Sequence, residues 1–95
     1  MLNYNNVMLN SEILTAIYNI ETEISEHKEK LFDIKKDLVH IDYRILQAQN
    51  KHTHGYIPTM VNIRKYFLYR QKIYQDLLDN ALKTVSELRK KILSC

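Results

Sequence analysis

Ile13, Ile17, Ile20, Ile24, His27, Leu31, Ile34, Leu38, Ile41 and Ile45 follow one another in an unbroken 4-3-4-3 rhythm. Nine of these ten positions are aliphatic. Apolar side chains every 3.5 residues keep one helical stripe turned toward a partner helix, so the pattern predicts a coiled-coil seam. No Gly or Pro interrupts the run, and Glu, Lys, Leu and Ile fill most of it. One helix is expected over about 11–49, with Asn10 or Ser11 as its N-cap and the Asn-rich residues before it frayed.

The pattern breaks at 50–57, and the chain's single Gly and single Pro, Gly55 and Pro58, both lie at this break. Gly permits a positive φ, and Pro suits the first turn of a new helix. A second helix is expected over about 58–93, with a weaker heptad row: Met60, Arg64, Phe67, Gln71, Tyr74, Leu78, Ala81, Val85, Leu88 and Ile92. Its polar intrusions are Arg64 and Gln71. A short connection between long helices favours antiparallel packing. The expected fold is therefore all-α, an antiparallel two-helix coiled-coil hairpin forming one domain over 1–95.

Two registers zip the seams together. One pairs Ile20 with Ile92, Ile24 with Leu88, Ile34 with Leu78 and Ile45 with Phe67. The other slips by a heptad and pairs Ile17 with Leu88, Ile20 with Val85, Leu31 with Tyr74 and Leu38 with Phe67. The first is preferred because it puts Gly55 and Tyr56 at the apex.

A lone hairpin buries only one stripe per helix, which barely offsets the entropy of ordering the chain. Completion by oligomerisation or by a partner's helix is expected. Tyr18, Phe32, Val39 and Leu46 form a second heptad row on the first helix, more than about 100° from the seam. On the second helix, 61–78 is apolar on nearly every side. Candidate partner contacts are thus Tyr18, Phe32, Val39, Leu46, Tyr66, Tyr69 and Ile73. His27 is set apart as a polar seam residue that can fix register. If buried, it would weaken the pairing on protonation.

Composition narrows the function classes. So little Gly and Pro argues against an all-β fold. Cys95, the lone cysteine, supports no disulfide framework, and an intracellular, cytoplasmic setting is expected. Met1–Asn6 has neither a basic stretch nor an apolar core, so no secretory signal is expected, and no run is long enough to span a bilayer. Residues 1–50 carry eight acids and five bases, and residues 51–95 carry three acids and nine bases. Halves of opposite sign are expected to attract one another within the hairpin.

Candidate chemistry is sparse. Ile63–Tyr74 interleaves four bases with four aromatics, as a nucleic-acid surface would, although Phe67 and Tyr74 also belong to the seam. Leu68-Tyr69-Arg70 resembles the tripeptide of the mitochondrial LYR family, but there it opens the first helix of a three-helix fold, and here it lies within the second. His52 and His54 flank one loop residue, too few ligands for a stable zinc site, so neither a metal nor another cofactor is expected. No phosphate loop or nucleophile elbow occurs, and an enzyme is not expected. The expected role is a non-enzymatic protein-interaction module, a scaffold or adaptor subunit acting through a protein partner or a homo-oligomer. The alternatives are a small helical chaperone for an amphipathic partner and, less favoured, a basic nucleic-acid binder.

Overall fold

The computed structural model describes residues 4–52 and 54–93, and within them the side chains of 10–52 and 55–92. The expectations for Cys95 and for the His54 side chain fall outside these residues. Two helices, α1 (Tyr4–Asn50) and α2 (Ile57–Leu93), are joined through a single 3-10 turn at His54–Tyr56. They pack side by side into a rod of 78 × 15 × 14 Å. Arg64 meets Asp42 near the loop and Arg89 meets Glu21 toward the other end, so the helices run antiparallel.

Helix α1 begins at Tyr4, earlier than the expected start near Ser11. Ser11 is therefore not a cap; its carbonyl accepts a hydrogen bond from the Thr15 hydroxyl at 3.0 Å, inside the helix. Extending an existing helix costs far less than starting one, and nothing before Ser11 is a Gly or Pro that would stop it.

Every seam position of both rows is buried or half-buried. Among the described residues, the buried hydrophobic side chains are Ile17, Ile24, Leu31, Ile34, Ile41 and Ala48 on α1, with Leu78 and Val85 on α2. Ala48 and Ile57 extend the two rows by one position each toward the loop. The contiguous core lies in the half far from the loop, where Ile17, Ile24 and Leu31 pack with Leu78 and Val85. Toward the loop the core thins on the α2 side, where half-buried Arg64 and Gln71 occupy seam positions, while Ile34, Ile41 and Ala48 of α1 stay buried.

The structure takes the register that is slipped by a heptad. Tyr74 packs against His27, one turn from Leu31, whereas the other register would place it opposite Leu38. Leu77 likewise shares a cleft with Ile20, Glu23 and His27, and Ile92 shares one with Leu14 and Ile17. The apex correspondingly moves off Gly55 and Tyr56. After α1 ends, the Lys51 and His52 amides donate to the carbonyls of Gln47 and Gln49 at 3.0 and 3.3 Å. His52 takes the left-handed conformation, with φ of 56°, that reverses the chain. Gly55, expected to supply a positive φ, does not. Pro58 sits in the first turn of α2, as its ring geometry favours.

Candidate interaction surface

In an antiparallel pair, the positions just after the d residues of both helices share one flank, and those just before the a residues share the other. The contacts mark these flanks clearly. The first flank holds both ion pairs, Arg64–Asp42 and Arg89–Glu21, and a cleft lined by Leu14, Ile17, Arg89 and Ile92. The second flank holds a cleft of about 460 Å³ between Asp37, His40, Ile41, Arg44, Ile63 and Phe67. A further cleft there lies between His27 and Leu77.

Arg64 Nε donates to Asp42 Oδ1 at 2.6 Å, so the polar intrusion in the second seam turns sideways to a carboxylate instead of staying in the seam. In each ion pair the acid comes from α1 and the base from α2, so the opposite charges of the halves meet across the hairpin. All four partners remain about half exposed. Each pair therefore contributes at most about 1 kcal/mol and acts mainly to fix alignment.

The second apolar row of α1 lies on the first flank and faces water: Tyr18, Phe32, Val39 and Leu46 are 71, 62, 68 and 52% exposed. The Lys36 ammonium rests over the Phe32 ring, 5.5 Å from its centroid. Phe32, Lys35, Lys36, Val39 and His40 line a shallow, open depression of about 310 Å³. On α2, Tyr66 and Ile73 fall beside the second flank, together with exposed Ile63 and Leu77. Tyr69, also exposed, points away from both flanks, as does Tyr43 of α1. The candidate contacts near the loop therefore form two apolar stripes on opposite sides of the rod rather than one patch. Leu68, Ile63, Tyr43 and Leu77 are further exposed apolar residues, three of them within the apolar run of 61–78.

The basic aromatic segment is folded onto itself. The Arg70 guanidinium lies 5.7 Å from the Tyr66 ring centroid and 5.9 Å from that of Tyr74. Tyr74 in turn packs tilted against His27, with centroids 6.2 Å apart. His27 is half-buried in the seam, its ring tilted against that of Tyr74. Among the described residues, no three His, Cys, Asp or Glu side chains gather closely enough to hold a metal ion. Among the same residues, no helix is long and apolar enough to cross a membrane. No protein family, curated protein or solved structure matches this chain.

Proposed function

We propose that this hairpin is a non-enzymatic protein–protein interaction module, a scaffold or adaptor subunit that is completed by docking other helices along its sides. One observation carries the reading. Where the seam's core is interrupted by Arg64 and Gln71, the chain places exposed Phe32, Val39 and Leu46 on one side and Tyr66 and Ile73 on the other. A coiled coil gains nothing by ordering such side chains in water, but it gains about 25 cal/mol per Å² when a partner covers them. The clefts between the helices are open and shallow, suited to side chains of a neighbouring helix rather than to an enclosed substrate. The self-stacked Arg70 ladder favours this reading over a nucleic-acid surface, because its cation and rings already satisfy one another.

The test is site-specific photo-crosslinking with a photoreactive residue at Val39, at Ile73 or, as a control, at Lys83 on the outer face of α2. Crosslinks to protein from Val39 and Ile73 but not from Lys83 would support the module. Absence of protein adducts from both flank sites would refute it.

A further inference from the structure

The two apolar stripes differ in the charges beside them, and the difference is complementary. On the first flank, the apolar row belongs to α1, and the neighbouring row of α2 carries exposed Lys65 and Lys72 in its loop-proximal part, with Asp79 following farther from the loop. On the second flank the arrangement is reversed. There the apolar row belongs to α2, and the two neighbouring rows of α1 carry exposed Glu23, Glu26, Asp33 and Asp37 against exposed Lys30 and Arg44, a net excess of two acids. One side of the rod thus reads apolar then basic, and the other reads acidic then apolar.

We infer that the partner for each stripe is a second copy of this chain, its second flank laid on the first flank of its neighbour. This deepens the interaction-module reading and rests on it. Turning the second copy end for end, about an axis perpendicular to the flank, sets its α2 over the first copy's α1 and its α1 over the first copy's α2. Stacked helices then run parallel. An offset of 34 residues that sets Tyr66 of the second copy against Phe32 also sets Ile73 of the second copy against Val39. The same offset brings Lys65 and Lys72 opposite positions 31 and 38 of the second copy, within a turn of its Asp33 and Asp37. One displacement serves both matches, because Phe32/Val39, Tyr66/Ile73 and Lys65/Lys72 each repeat after seven residues and Asp33 and Asp37 lie between the two positions that the lysines meet. The loop-proximal halves, where each hairpin's own core thins, are the parts that overlap.

The alternative pairings of two copies are worse. Laying first flank on first flank gathers Lys28, Lys35, Lys65 and Lys72 from both copies, while the acids of that flank, Glu21 and Asp42, are already paired with Arg89 and Arg64. Laying second flank on second flank gathers Glu26, Asp33 and Asp37 from both copies. Like charges in a contact are destabilising and exclude these arrangements. The favoured contact joins unlike faces, so every added copy leaves one face of each kind free, and assembly continues instead of closing at a dimer.

The experiment is sedimentation velocity across a concentration series on the full chain and on two charge-reversed variants, Lys65→Glu/Lys72→Glu and Asp33→Lys/Asp37→Lys. Helicity is followed by circular dichroism. All four side chains are exposed, so each variant is expected to remain helical. The wild-type chain is expected to form species that grow with concentration. Each variant alone is expected to associate at least about tenfold more weakly, since two charge pairs become two repulsions. Mixed in equal amounts, the variants regain association, because the acidic first flank of one meets the basic second flank of the other. If Asp33→Lys/Asp37→Lys loses helicity, Asp33→Asn/Asp37→Asn replaces it, with weaker association expected.

A wild-type chain that stays monomeric, or a closed dimer indifferent to both reversals, would overturn the inference. Tighter association of Lys65→Glu/Lys72→Glu, or no recovery on mixing, would do the same. Crosslinks from Val39 to a different protein, with a monomeric chain, would leave the interaction module standing and remove the second copy.

Discussion

The register can be tested directly, because a heptad slip is a large displacement. Seven residues of helix correspond to about 10.5 Å along the axis. A disulfide tolerates Cα atoms no more than about 7 Å apart. In the observed register Ile24 lies opposite Ala81, and both belong to the loop-distal core. In the rejected register Ile24 would lie opposite Leu88. With Cys95→Ser to remove the native thiol, Ile24→Cys/Ala81→Cys is expected to oxidise to an intramolecular disulfide under mild conditions. Ile24→Cys/Leu88→Cys is not. Closing a loop of about 57 residues removes denatured-state freedom equivalent to about 4 kcal/mol. At this chain length that raises Tm by roughly 15 °C or more between the reduced and oxidised forms of one protein, a comparison in which the lost Ile24 volume cancels. Non-reducing electrophoresis, mass spectrometry and melting followed by circular dichroism supply the readouts. Ready intramolecular crosslinking of the Ile24/Leu88 pair, with none for Ile24/Ala81, would refute the register and the flank assignments built on it.

Other perturbations follow from the same geometry. His52→Gly is expected to stabilise the hairpin by about 1 kcal/mol, because a side chain at φ of 56° carries a steric cost that Gly lacks. Gly55→Ala should be neutral or stabilising by about 0.5 kcal/mol, since an added Cβ meets nothing within 4 Å and the position has no positive φ. A loss above about 1 kcal/mol for Gly55→Ala in chemical denaturation would contradict the turn geometry. Ile34→Ala removes the most buried side chain among the described residues, at 2% exposure, and is expected to cost about 2–4 kcal/mol, enough to unfold much of so small a domain. His27→Leu puts an aliphatic side chain in a half-buried seam position and should raise stability by about 1 kcal/mol; an unchanged melting curve would show that the Tyr74 contact already compensates.

Much of this molecule is legible in its residue order. Helix identity, the seam, the location of the break and the existence of an uncovered row at Tyr18, Phe32, Val39 and Leu46 all rest on local periodicity. Periodicity is a property of one helix and survives in any context that keeps the helix. The register was not legible for the same reason. A pattern that repeats every seven residues looks identical after a shift of seven, so Ile24 can face Leu88 or Ala81 with equal formal merit. The choice falls to the turn, where His52 and not Gly55 takes the left-handed conformation, shortening the apex and drawing α2 back along α1.

The seam's residues dictate that these helices pair, because an aliphatic stripe in water is unfavourable wherever it occurs. Which exposed residues become neighbours was decided only when two helices were laid antiparallel. That arrangement carries the α1 row and the α2 row to opposite flanks, places Lys65 and Lys72 beside one and Asp33 and Asp37 beside the other, and gives a single chain two unlike faces. Residue order specifies what each helix exposes; the pairing of the helices sets what those exposed groups stand next to, since adjacency across a coiled coil depends on the relative position of both strands.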